Sequence, residues 1–143
     1  MKKFKKIVSI LLVIIVLLIL FVKIVTLIDS HIHPEKGGTF FGWKSFIVLS
    51  GSMENTISVG DIVIVKDTDT RTLKIGDIIA FKKDDIVITH RIIDIIEDEE
   101  IKYVTKGDNN NVEDEGYVLS EQIIGVYKFK INGIGKIFIK IKE

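Results

Sequence analysis

The sequence predicts a mainly β fold, a curled, barrel-like antiparallel sheet preceded by one transmembrane helix. Two observations predict this fold class. An apolar segment of membrane-spanning length lies near the N-terminus. The rest of the chain consists of short stretches rich in isoleucine, valine and aromatic residues, which turn residues separate. The length of 143 residues suits one domain and an anchor.

The apolar segment, residues 7–28, predicts the transmembrane helix. As a helix it would be roughly 33 Å long at about 1.5 Å per residue, which matches the thickness of a bilayer core. Lys23 is tolerated near one end because its ammonium group can reach the interface. The lysines at positions 2, 3, 5 and 6 predict a cytoplasmic N-terminus, with the rest of the chain outside the cytoplasm.

A cleavable secretory signal is the alternative interpretation of this segment, because such a signal also begins with basic residues and an apolar stretch. Two features favour an uncleaved anchor. The segment is long for the core of a secretory signal. No Ala-x-Ala cleavage site follows it, since Ala80 is the single alanine in the chain.

Four regions are predicted along the chain. Residues 1–6 form a cytoplasmic basic tail, 7–28 the transmembrane anchor, 29–42 a polar juxtamembrane connector that holds the single proline, and 43–143 the β-rich domain.

Two short motifs near the connector leave alternatives open. Phe40, Phe41 and Trp43 form either an aromatic edge in the lipid interface or the first core residues of the domain. His31 and His33 could bind a metal, but no third ligand is evident. We therefore expect neither a metal nor another cofactor.

Seven segments of the domain have the composition of β-strands. Turn residues such as Gly-Asp and Asn-Gly stand between them, which predicts short antiparallel connections. The last segment alternates lysine with apolar residues, as in a half-buried strand. The seven predicted strands are Ser45–Leu49, Ile62–Lys66, Ile78–Lys82, Ile86–Ile96, Lys102–Thr105, Ile123–Lys130 and Ile134–Ile141.

Composition excludes several function classes. The chain has no cysteine, so disulfides, thiolate catalysis and cysteine-based metal sites are excluded. Five of the 20 basic residues precede Asp29, so 15 basic side chains face 20 acidic ones over residues 29–143, a net charge of about −5. An acidic domain argues against nucleic-acid binding, which requires a basic face.

A serine, a histidine and two aspartates make the candidate chemistry. Ser52 would be a nucleophile only with a base, and His90 is the residue type that usually supplies one. Asp108 or Asp114 could fix the histidine tautomer. Each residue also has an ordinary structural interpretation: Ser52 in a loop, His90 in a strand, Asp108 in a turn, and Asp114 as a solvated carboxylate.

The small residues around Ser52 suit nucleophilic catalysis. The Ser50 hydroxyl and the Ser52 backbone N–H are candidate donors to an oxyanion. Gly51 allows a tight turn and close approach of a substrate.

The first half of the domain resembles the type I signal peptidases of family S26. Residues 49–54, Leu-Ser-Gly-Ser-Met-Glu, with Gly60-Asp61 after them, resemble the sequence motif, or box, that carries the nucleophile in that family. Residues 76–79, Gly-Asp-Ile-Ile, resemble the next box along the family's sequence.

The base and the final box point to one branch of the family. Where the bacterial housekeeping branch has a Lys-Arg pair, this chain has His90-Arg91, as in the endoplasmic-reticulum, archaeal and sporulation-type branch. Residues 105–110, Thr-Lys-Gly-Asp-Asn-Asn, resemble that branch's final box, and Asp114 lies six positions after its aspartate. The resemblance runs from the anchor to about residue 126.

The resemblance implies a role for each residue of the site. Ser52 is implied as nucleophile, His90 as general base, and Ser50 with the Ser52 N–H as oxyanion hole. Asp114 is the better candidate to orient His90, with Asp108 supporting the loop, although the opposite assignment stays open.

Met53 is implied to pack beneath the nucleophile turn. Many relatives have a proline where this chain has Asn55. A proline would stiffen that turn, so its absence should loosen the turn without removing a catalytic group. Many relatives in this branch also carry a second hydrophobic segment at the C-terminus, whereas this chain ends in a lysine-rich segment and favours a single anchor.

The implied function is a cell-membrane serine endopeptidase that removes signal peptides from exported preproteins. Its implied partners are preprotein signal peptides and the lipid bilayer, with secretion-machinery subunits as further candidates, and no nucleic acid. One rival is a self-cleaving domain with Lys82, Lys83 or Lys106 as base. The other is a non-catalytic membrane-anchored adaptor or accessory subunit of a secretion complex.

Overall fold

The computed structural model describes residues 2–32 and 41–140. The chain divides into two units, Met1–Phe41 and Gly42–Glu143.

The first unit is built on one long helix, α1 (Lys2–Ile32). Its leucine, isoleucine and valine side chains are exposed along most of its length. Within it, the 26 residues Lys3–Ile28 are long and apolar enough to cross a membrane, and no other helix in the described residues meets that test. The helix contains the predicted segment 7–28 and continues four residues into the predicted connector.

The second unit is a seven-stranded sheet in which every neighbouring pair is antiparallel. The order across the sheet is β1-β2-β7-β3-β4-β5-β6, so the last strand in sequence lies in its interior. A short helix, α2 (Gly135–Lys140), follows the last strand. The strands are β1 (Trp43–Ile47), β2 (Ile62–Lys66), β3 (Ile78–Lys83), β4 (Ile86–Glu97), β5 (Ile101–Lys106), β6 (Val118–Leu119) and β7 (Ile123–Ile131).

The interior strand β3 packs against apolar clusters on both of its faces. Because successive side chains of a strand point to opposite faces, Ile78 and Ala80 belong to one cluster and Ile79 and Phe81 to the other. This double burial explains why β3 has a continuous apolar sequence rather than an alternating one. Met53, Ile57, Val63 and Val65 complete the first cluster, and Leu73, Ile92, Tyr103, Val118 and Val126 the second.

Strand β4 extends beyond its neighbour β5. Residues 86–91 all pair with β3, but pairing with β5 begins only at Arg91, opposite Lys106. Residues 86–90 of β4 are therefore paired on one side only, with β3, and the side that faces away from β3 has no β5 partner. His90 is the last residue of this one-sided stretch.

The predicted fold class is confirmed, and six of the seven predicted strands are present with boundaries within two residues. The seventh prediction is wrong, because Gly135–Lys140 is helical. The tail cannot form a hairpin with β7, because β7 already has β2 on one side and β3 on the other. Gly133, at φ 67°, turns the chain after β7. The two-residue strand β6, which pairs with β5, was not predicted.

Candidate active site

The turn that carries Ser52 is held by core packing. It follows β1, and two of its side chains, Met53 and Ile57, are buried at 2% and 0% exposure. The Ile57 N–H donates to the Met53 carbonyl at 2.7 Å, and the Glu54 N–H donates to the Gly51 carbonyl at 3.1 Å. Met53 therefore packs beneath the turn, and Ser52 is carried next to it at the edge of the core.

Asn55 has a left-handed backbone conformation, with φ 73°. Asparagine tolerates this conformation better than most residues, whereas the proline ring fixes φ near −65°. The carboxylate of Glu54 accepts hydrogen bonds from the Ser58 hydroxyl at 2.9 Å and the Val59 N–H at 3.3 Å. These two bonds lower the pKa of Glu54, the Ser58 bond most strongly. The turn is thus closed by side-chain hydrogen bonds in a shape that excludes proline.

The end of the turn is fixed to β7 through Asp61, which is 4% exposed. Its carboxylate accepts from the Ser58 N–H at 3.0 Å and the Gly133 N–H at 2.9 Å, and it pairs with Lys130 at 2.9 Å. Burial raises the pKa of Asp61, but these three partners outweigh burial and the net pKa is lowered. Asp61 is therefore a charged structural anchor.

Ser52, His90 and Asp114 form a continuous chain of hydrogen bonds. The Ser52 Oγ lies 2.9 Å from His90 Nε2, and His90 Nδ1 lies 2.6 Å from Asp114 Oδ2. His90 is 6% exposed, and its ring meets that of Phe81 edge-on at 6.5 Å. In this line the imidazole can accept the Ser52 proton while the carboxylate stabilises the charge that results.

Asp114 is held in place by Thr105 of β5. The Thr105 hydroxyl donates to Asp114 Oδ2 at 2.7 Å, and the Asp114 N–H donates to the Thr105 carbonyl at 2.8 Å. Thr105 is 1% exposed. Thr105 was not among the residues predicted for the site, although it opens the final motif and is buried.

Asp108 contacts Arg91 rather than His90. The Arg91 guanidinium donates to both carboxylate oxygens at 2.8 and 2.7 Å, and it also donates to the Gly76 carbonyl at 2.7 Å. Thr56 of the nucleophile turn donates to Asp108 at 2.5 Å. The hydrogen bonds from Arg91, more than that from Thr56, hold the pKa of Asp108 below its usual range. Asp108 thus ties the loop after β5 to both β4 and the nucleophile turn.

The remaining predicted residues lie around Ser52. The Ser50 hydroxyl is 3.4 Å from the Ser52 hydroxyl. Gly51, between them, accepts a hydrogen bond on its carbonyl from the side chain of Asn109. The Met53 sulfur accepts from the Asp108 N–H at 3.3 Å.

A mainly apolar groove of about 430 Å³ adjoins the serine and the histidine. One wall is formed by residues of segment 46–57, which includes Ser52, and the other by residues 86–90, which end at His90. The second wall is the one-sided stretch of β4. The groove therefore offers strand backbone, apolar side chains and the Ser52–His90 pair together.

Two of the three lysines considered as alternative bases, Lys82 and Lys83, have other partners. The Lys82 ammonium pairs with Asp85 at 3.4 Å, and that of Lys83 donates to the Glu115 carbonyl at 2.7 Å. Over residues 2–32 and 41–140, no group of histidine, aspartate and glutamate side chains is arranged to hold a metal ion. The His31 side chain and residue 33, the candidate metal ligands, lie outside the described part, as does Phe40.

An antiparallel β-domain with a serine, a histidine and an aspartate in hydrogen-bonding line has the arrangement of a serine hydrolase. The family model "Signal peptidase, peptidase S26" matches residues 37–106, which include Ser52 and His90. The chain is 30% identical over 126 residues to the signal peptidase complex catalytic subunit SEC11 of Debaryomyces hansenii, covering 73% of this chain and 75% of that protein. The chain therefore belongs to the S26 signal peptidase family.

Two further relatives are similar over shorter stretches. Signal peptidase I W of Bacillus subtilis is 37% identical over 90 residues, which cover 61% of this chain and 47% of that protein. Human signal peptidase complex catalytic subunit SEC11C is 42% identical over 74 residues, which cover 49% of this chain and 38% of that protein. The chain thus spans less than half the length of these two relatives.

We predict that Asn55→Pro destabilises the domain while Asn55→Gly does not. Proline cannot adopt φ 73°, and forcing it should cost about 3 kcal/mol or more, whereas glycine adopts this conformation freely. The free energy of unfolding of the full chain in detergent, from urea titration followed by near-UV circular dichroism, measures the difference. A proline variant as stable as the wild type would contradict the observed turn.

We predict that Asp108→Asn lowers the free energy of unfolding at pH 7 by about 2 kcal/mol, the scale of hydrogen bonds to a charged group. Because the pKa of Asp108 is lowered in the folded state, its carboxylate stabilises the fold above the ordinary aspartate pKa near 4. This contribution is lost as the pH falls through the lowered pKa, so the difference between the variant and the wild type should be smaller at pH 3 than at pH 7. Urea titrations at pH 7 and at pH 3 measure both differences.

The matched control is Asp85→Asn. Asp85 is fully exposed and pairs with Lys82, so its loss should leave the free energy of unfolding nearly unchanged at either pH. Equal effects of the two substitutions would show that the Arg91–Asp108 pair does not anchor the loop.

Proposed function

We propose that this chain is a membrane-anchored serine endopeptidase that removes N-terminal signal peptides from exported preproteins. Membership of the S26 family supports signal-peptide removal. The proposal that the chain acts as a serine endopeptidase rests on one observation. Ser52, His90 and Asp114 form a chain of hydrogen bonds, at 2.9 and 2.6 Å, beside a groove.

The proposed first step is acylation of Ser52. The Ser52 oxygen attacks the scissile carbonyl carbon while His90 Nε2 takes the hydroxyl proton, and Asp114 stabilises the imidazolium. The C–N bond then breaks, the leaving amine takes the proton from His90, and an ester to Ser52 remains. The Ser52 N–H and the Ser50 hydroxyl donate to the oxyanion.

The second step releases the signal peptide. A water molecule gives a proton to His90 and attacks the ester carbonyl, and the Ser52 oxygen leaves with that proton. The released product is the signal peptide with a new carboxylate. The serine and the neutral histidine are regenerated, so no cofactor is needed.

The groove supports a substrate bound as an extended strand. The unpaired edge of residues 86–90 can form backbone hydrogen bonds with an added strand. Apolar side chains line both walls, including Phe46 and Ile88. We propose that the residues before the scissile bond occupy this groove.

We propose that α1 anchors the enzyme in the cell membrane with its N-terminus in the cytoplasm. The span Lys3–Ile28 is long and apolar enough, and the lysines that precede residue 7 favour the cytoplasmic side. In this topology residues 1–6 are the tail, 7–28 the anchor, 29–42 the connector and 43–143 an extracytoplasmic peptidase domain. Emerging preproteins, the bilayer and subunits of a secretion complex are the proposed partners.

The deciding experiment is cleavage of a preprotein by the detergent-solubilised full chain, with Ser52→Ala beside it. We predict that Ser52→Ala, His90→Ala and Asp114→Ala each lower kcat roughly 10³-fold or more, because each interrupts proton transfer, while the domain stays folded. Ser120→Ala, at an exposed serine on the surface, is the control and should keep wild-type turnover.

Three outcomes would count against this assignment. Cleavage that survives Ser52→Ala would exclude Ser52 as the nucleophile. Normal turnover in Asp114→Ala with loss in Asp108→Ala would exchange the roles of the two aspartates. A folded wild type that cleaves no preprotein would favour the non-catalytic adaptor.

We also predict that kcat/KM falls steeply as the pH is lowered from about 8 to about 5, the range in which histidine side chains titrate. A protonated imidazole has no lone pair with which to accept the Ser52 proton. Initial rates on a peptide substrate, with folding checked at each pH, measure the profile. A flat profile over this range would contradict a histidine base.

A further inference from the structure

One residue outside the Ser52–His90–Asp114 line holds two consecutive carbonyls of the nucleophile turn. The side-chain amide of Asn109 donates to the Gly51 carbonyl at 3.1 Å. Its backbone N–H donates to the Ser52 carbonyl at 2.8 Å. Asn109 thus binds the peptide groups on both sides of the Ser52 α-carbon.

The contact between this loop and the turn is close at a second position. A Cβ atom at Gly107 would lie 2.5 Å from the Ser52 carbonyl oxygen, so no other residue fits there without movement. The Asn110 N–H donates to the Gly107 carbonyl at 3.0 Å and closes the loop on itself. The loop is therefore built to lie directly against the backbone of Ser52.

The Gly51 carbonyl and the Ser52 N–H belong to the same peptide group. That group is planar, and in the trans form its C=O and N–H point in opposite directions. A hydrogen bond that fixes the carbonyl therefore fixes the direction of the N–H. It also polarises the N–H and makes it a stronger donor.

We propose that Asn109 is a positioning residue for the oxyanion hole: its side-chain amide orients and polarises the Gly51–Ser52 peptide, whose N–H stabilises the oxyanion. This inference rests on the proposed peptidase function. Asn109 makes no contact with His90 or Asp114 among the hydrogen bonds of the described site, so its effect on the transition state does not pass through the base.

Asn109→Asp tests the inference with nearly unchanged side-chain size. It replaces the donating amide by a carboxylate oxygen that repels the Gly51 carbonyl. Removing an oxyanion donor outright costs roughly 10²- to 10³-fold in kcat. Misorienting one should lower kcat by about 10- to 100-fold, with KM within about twofold of the wild type.

Asn111→Asp is the matched control. Asn111 is exposed and lies two residues further along the same loop, so the substitution adds the same charge without touching the Gly51–Ser52 peptide. Both kinetic constants should stay within about twofold of the wild type. Asn109→Ala, which removes the donor without adding charge, repeats the comparison if the aspartate variant does not fold.

Inhibition by a peptide aldehyde separates positioning from general damage to the fold. The aldehyde forms a tetrahedral adduct with a catalytic serine and resembles the transition state, whereas a non-cleavable peptide resembles the ground state. We expect Asn109→Asp to weaken aldehyde inhibition by the same factor as kcat/KM, and to leave binding of the non-cleavable peptide unchanged.

The outcomes are distinguishable from failure of the proposed function. Ser52-dependent cleavage with wild-type kcat in Asn109→Asp would overturn the inference and leave the peptidase intact. Equal weakening of aldehyde and non-cleavable peptide would also overturn it, because the residue would then only support the fold. A wild type with no Ser52-dependent cleavage would remove the proposed function and this inference with it.

Discussion

The burial of Met53 and Ile57 beside β3 is the constraint on which the site depends. Both side chains are almost fully buried, and the chain between them closes on itself through a hydrogen bond. Since Ser52 directly precedes Met53, core packing fixes the start of the nucleophile turn. The same strand β3 faces His90 on its other side, where Phe81 meets the imidazole edge-on. One interior strand therefore supports the proposed nucleophile and the proposed base together.

Two adjacent residues of β4 serve two different carboxylates. Successive side chains of a strand point to opposite faces, so His90 points toward Asp114 and Arg91 toward Asp108. The Arg91 guanidinium forms an ion pair with Asp108 and lowers the pKa of that carboxyl group, so Asp108 stays charged. Asp114 then remains as the carboxylate that contacts the imidazole directly. This separation leaves Asp108 in a position that supports the loop and Asp114 in a position suited to stabilising a protonated imidazole.

Local patterns predicted most of the fold, and contacts distant in sequence account for the rest. The alternation and composition of six strands are local properties, and the motifs around Ser52 and His90 are contiguous. The tail alternates like a strand, but β7, the strand before it, is already paired on both sides, which no local pattern reveals. The contact of Asp114 with His90 depends on how the loop after β5 returns to Thr105. The left-handed conformation of Asn55 is stabilised by hydrogen bonds of Glu54 with Ser58 and Val59, which composition alone does not indicate.

The loop after β5 connects the two walls of the groove. Asp108 and Asn109, at its start, bind the wall that carries Ser52, through Thr56 and the Gly51 and Ser52 carbonyls. Asp114, five residues later, binds His90 on the other wall. The Ser52–His90 hydrogen bond at 2.9 Å spans the gap between the walls. The length of this hydrogen bond therefore depends on a short loop that contacts both walls. Because Ser52 and His90 lie on separate segments, a change in the loop alters the geometry between the proposed nucleophile and the proposed base.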